Sequence, residues 1–179
     1  MKDKKLWMTF TLFLLFFFIS KAPVFAVGVD VNNVPTSLNG EEEFTISVIV
    51  AGAASNTNNY LRGAFYSDTS PTSYFGYTFN HLSNWYNGSP SPIDSHQFLQ
   101  IQIGSDGSWS GEVKVNPDIS SNNFTGSGNY SFKIGRYTAN GTSVSNWSQS
   151  NSLSINTIDP TSTPVPTTVP TNTPTPTKT

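Results

Sequence analysis

An antiparallel all-β sandwich is the fold class this sequence predicts, on three observations. Apolar side chains recur at period two, clusters of Gly, Asn, Asp and Ser punctuate the chain at short intervals, and no long helical pattern appears. About seven or eight strands can be counted, as a two-sheet sandwich requires. The 179-residue chain contains no cysteine, which leaves packing alone to hold the sheets and excludes disulfides, thiolate zinc sites and thiol nucleophiles.

The chain opens on Met1-Lys2-Asp3-Lys4-Lys5, runs through a large apolar stretch from Leu6 to Ile19, and reaches Val24-Phe25-Ala26. A basic start, an apolar middle and small residues before a cut form the pattern of a secretory signal peptide, with cleavage expected after Ala26. Lys21 and Pro23 follow the run too soon for a spanning helix, which needs about 20 apolar residues, so no membrane insertion of the mature chain is expected. Removal of residues 1–26 leaves 5 basic and 10 acidic residues, a net charge of −5. Arg62, Lys114, Lys133, Arg136 and Lys178 are scattered in sequence, which argues against a nucleic-acid partner.

Residues 27–157 have the length of one domain and read as strand after strand. Phe44, Ile46, Val48 and Val50 alternate with Thr45, Ser47 and Ile49, the pattern of a half-buried strand. Phe98, Ile101 and Ile103 make another, and the turn Gly104-Ser105-Asp106-Gly107-Ser108 leads into residues 109–115, so a hairpin is expected there. A second hairpin is expected where residues 130–137 meet Thr138-Ala139-Asn140-Gly141-Thr142, with Tyr130, Phe132, Ile134 and Arg136 on one face. Leu153-Ser154-Ile155 closes the domain, and weaker strands are expected at 29–34, 60–67 and 74–79. From residue 158 the composition turns to Thr and Pro, a semi-rigid extended linker or tail of about 3.1 Å per residue.

Residues Gly128-Asn129-Tyr130-Ser131-Phe132-Lys133-Ile134-Gly135-Arg136-Tyr137, then Asn140-Gly141-Thr142-Ser143 and Asn146-Trp147-Ser148, resemble the last hairpin of a fibronectin type III domain. The resemblance implies an immunoglobulin-like or fibronectin type III-like sandwich. In it Tyr130 is the corner tyrosine, its ring in the core and its hydroxyl bonded to backbone upstream. It covers the C-terminal third of the domain. Residues 52–98 depart from that family in length, in their Asn, Ser and Tyr content and in lacking an early tryptophan, so the resemblance implies no strand order there. The layout of signal peptide, one sandwich and Thr/Pro tail is also similar to bacterial surface proteins, and implies no activity.

The acid/base inventory is thin. His81 and His96 are the only histidines, and Gly107-Ser108-Trp109-Ser110-Gly111 puts tryptophan where a G-x-S-x-G nucleophile would stand. No catalytic residue, metal site or cofactor is expected. Asp94, Asp106 and Asp118 sit in turn-rich stretches without calcium-loop spacing and read as turn formers. Five Asn-x-Ser/Thr triplets follow from the abundance of these residues.

The feature that stands out is aromatic density. Residues 60–98 hold 10 of the 17 aromatics of the mature chain. Adjacent rings such as Tyr74 and Phe75 must face opposite sides of a strand, which places some of them on the surface. Tyr74, Tyr77, Trp85 and Tyr86 are therefore the candidate binding surface, while Tyr130, Trp109 and Trp147 are expected to be structural. The leading functional expectation is a non-catalytic extracellular or cell-surface module for spacing or protein contact. The alternative is a carbohydrate-binding module using exposed aromatics, with a secreted hydrolase third. The partner is thus an unknown protein or glycan.

Overall fold

Where apolar side chains alternate, strands form. The computed structural model describes residues 26–157, so cleavage after Ala26 and the tail expected from residue 158 fall on or beyond its limits, and neither is seen in it. In chain order the strands are β1 (Gly28–Asn32), β2 (Ser37–Asn39), β3 (Phe44–Ala51), β4 (Asn58–Tyr66), β5 (Tyr77–Phe79), β6 (Trp85–Tyr86), β7 (Leu99–Gln102), β8 (Trp109–Asn116), β9 (Gly128–Thr138), β10 (Asn146–Trp147) and β11 (Asn151–Asn156). One 3₁₀ turn, Ser95–Gln97, precedes β7, and no described helix is long and apolar enough to cross a membrane.

The strands form two sheets, ordered β1-β3-β8-β5-β6 and β2-β11-β9-β4-β7, with β10 beside β9. All pairings are antiparallel except β2 with β11. Chain entry is therefore split: β1 joins the first sheet, and β2 crosses to the edge of the second. Ile46, Val48 and Val50 of β3 and Val113 and Val115 of β8 meet Leu61, Phe65, Phe132 and Ile134 of the other sheet in one core. Ile49, on the opposite face of β3, is exposed, as alternation requires.

Eleven strands form among the described residues where about seven or eight antiparallel ones are expected, because short edge strands such as β2, β6 and β10 add to the main ones and β2 runs parallel to β11. Three local expectations also change. The strand expected at 74–79 is regular only over β5, while Phe75 pairs with Phe65 in an isolated bridge at the edge of β4. The strand expected at 29–34 ends at Asn32, and Asn33 takes a positive φ of 64° before the crossing. The turn at Asp106-Gly107 forms, with Gly107 at φ 78°, but it is not a hairpin. β7 pairs with β4 in the second sheet and β8 with β3 and β5 in the first, so the turn arches between layers. A turn signal reports that the chain reverses; which sheet edge is free decides where the next strand pairs. The hairpin expected after residue 137 does form, through Arg136 opposite Asn146 and Gly135 opposite Trp147.

Tyr130 is 3% exposed and lies in the core with Phe132 and Ile134. Its hydroxyl donates to the carbonyl of Gly126 at 2.6 Å and accepts from the Thr125 amide at 3.1 Å. Arg136 shares their face of β9 and is buried, its guanidinium donating to Asn59 and to Asn146. Trp109 packs half-buried against the core.

Candidate functional site

β4 is buried on both faces, unlike β3. Its inward residues Leu61 and Phe65 belong to the main core, so Tyr60, Arg62, Ala64 and Tyr66 point the other way. Opposite them on β9 stand Tyr137, Gly135, Lys133 and Ser131. The long excursion between β4 and β7 folds back over this face. It buries Tyr86 and Phe98 against Tyr60 and Tyr137 in a second cluster, and it lays Tyr74 beside Tyr66 and Trp147.

Tyr74 is fixed from two sides. The Lys133 ammonium lies 4.5 Å from the Tyr66 ring, 4.7 Å from Tyr74 and 4.3 Å from Trp147, and donates to the Tyr74 hydroxyl at 3.0 Å. Three rings around one ammonium hold each other by cation–π attraction. Trp147 lies against Gly135, where a Cβ would come within 2.8 Å of its ring. On the other flank the Arg62 guanidinium carbon sits 5.7 Å from the Tyr74 ring and 5.4 Å from Phe98.

A cleft of about 530 Å³ opens beside this cluster, with Arg62, Tyr74, Tyr77, Asn87, Ser89 and Asp118 among its lining residues. Asp118 is 4% exposed; its carboxylate accepts from the Asn87 side chain at 3.0 Å and the Ser120 hydroxyl at 2.6 Å, which pins the loop carrying Asn87. Arg62 is 5% exposed and makes no hydrogen bond or ion pair among the described residues, its Nε sealed without an acceptor. Burial, then the Asp118 and Glu41 charges, push the Tyr77 phenol above its ordinary pKa, against hydrogen bonds from Asn87 and Ser120.

A raised phenol pKa means stability that is present below about pH 10 and lost as pH rises through the folded-state value. In an alkaline absorbance titration, the chromophore missing from Tyr77→Phe is expected to ionise above pH 10, and Asp118→Asn to bring it down. A missing component at the ordinary tyrosine value would show that the phenol does not feel Asp118.

Of the four aromatics expected to form a binding surface, Tyr74 and Tyr77 line the cleft, half-buried. Tyr86 is a correction: it is 7% exposed, part of the second core cluster, and its hydroxyl accepts from the Asp94 amide. Trp85 packs edge-on against Phe79 at 5.2 Å and does not line the cleft. Nothing in the sequence marks Arg62, since a lone arginine in a strand carries no signal until its partners are seen to be missing.

The carboxylates Asp94 and Asp106 are tied to their own turns. Asp94 accepts from the Gln97 side chain and the His96 amide, and Asp106 from Ser108, and these hydrogen bonds hold both carboxyls below their usual range. His96 contacts Asp94 through Nδ1, but its Nε2 lies 2.9 Å from the Ala139 carbonyl rather than a hydroxyl. Among the described residues no three His, Asp or Glu side chains gather to hold a metal.

The fold and cleft define an all-β, two-sheet protein with a polar, aromatic-walled recess. No family model matches the chain, and no curated protein matches its sequence. Among solved structures, it is similar to AvmM, described as catalysing macrocyclization in alchivemycin A biosynthesis, with 9% identity, a TM-score of 0.43, and coverage of 73% of this chain and 88% of that one. It is also similar to the sporulation control protein Spo0M of Bacillus subtilis, with 10% identity and a TM-score of 0.41, over 74% of this chain and 50% of that one. Likeness at this level carries no functional argument.

Proposed function

We propose that residues 27–157 form a non-catalytic extracellular module, immunoglobulin-like or fibronectin type III-like in kind, whose cleft beside Arg62 binds a glycan. Secretion rests on the signal-peptide pattern. The sandwich kinship is supported by the split of β1 and β2 between sheets and by the Tyr130 hydroxyl bonded to Gly126 upstream.

One observation carries the glycan reading: a cleft of about 530 Å³ that combines Tyr74 and Tyr77 with Asn, Ser and Asp side chains. Aromatic faces take the C–H faces of sugar rings, while amides, hydroxyls and a carboxylate take their hydroxyls. Tyr74 is committed to Lys133, Trp147 and Tyr66, whereas Tyr77 stacks on no described aromatic ring, so Tyr77 is the platform. A spacer or protein-contact role stays the rival reading, but the exposed large hydrophobics among the described residues are only Ile49 and Leu82, which make no patch. The hydrolase reading is weaker, because glycoside hydrolysis uses two facing carboxylates and Asp118 is the one carboxylate among the residues lining the cleft.

Screening oligosaccharides by amide-resonance shifts is expected to find ligands that perturb Tyr77, Asn87 and Ser120. Tyr77→Ala should weaken them about tenfold, a change of ~1.4 kcal/mol, with Trp85→Ala binding as the native protein does. Ligands unaffected by Tyr77→Ala would remove the cleft from the reading.

A further inference from the structure

Two arginines of the second sheet, Arg62 and Arg136, are buried and Lys133 is half-buried, and the three differ in what they meet. Arg136 has two asparagine acceptors. The Lys133 ammonium donates to Tyr74 inside a box of three rings. Arg62 has the flanking Tyr74 and Phe98 rings but no acceptor among the described residues, although it lines a cleft large enough for a sugar. Its Nε is sealed without a partner, as is that of Arg136, but of the two only Arg62 also lacks an acceptor for its terminal nitrogens among the described residues. A buried guanidinium with no carboxylate is a costly arrangement, and its planar fork suits bidentate capture of one. Gly88 flanks the guanidinium, where a Cβ would lie in ordinary contact with Arg62 Nη2 at 3.6 Å.

Two further observations limit what can dock. Asp118 lies on the same cleft without an ion pair to Arg62, and it would repel a second acid placed near it. The mature chain has 5 basic and 10 acidic residues, so a densely charged polyanion meets long-range repulsion at low salt. A single carboxylate on an otherwise neutral ligand meets the least of both repulsions, and Arg62 is placed to offset it.

We infer that Arg62 is the specificity residue of this cleft and selects glycans bearing an isolated carboxylate sugar, the acid seated on the guanidinium and the sugar hydroxyls on Asn87, Ser89 and Asp118. This rests on the glycan reading of the cleft and adds the class of sugar. A terminal sialic-type acid and a uronic-acid branch present the same chemistry, and matched probes separate them.

The test is calorimetric titration of residues 27–179 with pairs of acidic oligosaccharide and neutral parent: sialyllactose with lactose, and glucuronosyl-xylotriose with xylotriose. Polygalacturonate and a tripeptide with a free or amidated C-terminus are run alongside. At least one acidic member is expected to bind about tenfold to a hundredfold tighter than its parent, in the range of a charged hydrogen-bonded pair. In Arg62→Met the preference should vanish, with a melting temperature no lower than native because an uncompensated buried charge is gone. Arg62→Lys, which keeps the charge but not the fork, should lose most of it, and serves if Arg62→Met does not fold. Equal binding of acid and parent, or a preference that survives both variants, overturns the assignment to Arg62 and leaves the glycan reading standing. Tighter binding of polygalacturonate overturns the isolated acid. If no saccharide binds, or only the free-carboxylate peptide does, the glycan reading fails and this inference with it.

Discussion

Tyr130→Ala is expected to lower the unfolding free energy by about 3–5 kcal/mol, the range for deleting a well-packed aromatic from a core. The ring stacks on Phe124 at 5.5 Å and meets Phe75 edge-on at 5.3 Å, so truncation opens a cavity between the two sheets' partners that neither ring can fill alone. Tyr130→Phe keeps these contacts and loses the hydroxyl, which donates to Gly126 and accepts from Thr125. Its cost is expected near 1–2 kcal/mol, more than an exposed hydroxyl would give because the Gly126 carbonyl and Thr125 amide lose their partner. Chemical denaturation of both variants decides the matter. A loss below about 1 kcal/mol for Tyr130→Ala would mean that the corner is not part of the cooperative core.

The β9 register was legible because Tyr130, Phe132 and Ile134 alternate with Ser131 and Lys133, and one face of the strand had to be the core. The same rule does not hold at β4. Arg62 between Leu61 and Gly63 reads as an outward, solvated position, and on an uncovered sheet it would be one. It is buried because residues 67–98 return across the outer face, bringing Tyr74 and Phe98 onto the guanidinium. The trace of this in the sequence was the aromatic density of residues 60–98: rings in excess of what one core can hold had to cover something. Which residue they covered depends on the crossing at Phe75, a tertiary pairing that no local pattern specifies. The Asp106-Gly107 turn escaped for a related reason, since its local chemistry is the same whether the next strand joins the near sheet or the far one.

The second large effect is expected at Gly76, where the chain leaves the edge of β4 and enters β5 in the other sheet. Phe75 exchanges two backbone hydrogen bonds with Phe65, each 3.0 Å, and Gly76 then turns at φ +107°. A Cβ at this position would lie 2.5 Å from Phe65 Cδ2 and 3.2 Å from the Asn116 carbonyl, and Phe65 is fully buried. Neither neighbour can yield without disturbing the core. Gly76→Ala therefore combines a backbone penalty of about 1–2 kcal/mol with overpacking of about 1–3 kcal/mol. Gly126→Ala separates the two, since Gly126 has φ +101° but open space around its Cβ position, and it should carry the backbone penalty alone. The difference between the two variants then measures how tightly the crossing is packed. Because Tyr77 follows Gly76 directly, Gly76→Ala is also expected to shift that ring and weaken ligand binding, whereas Gly126→Ala should leave binding unchanged. Equal destabilisation of the two variants would show that Phe65 yields, and that the crossing does not fix the wall of the cleft.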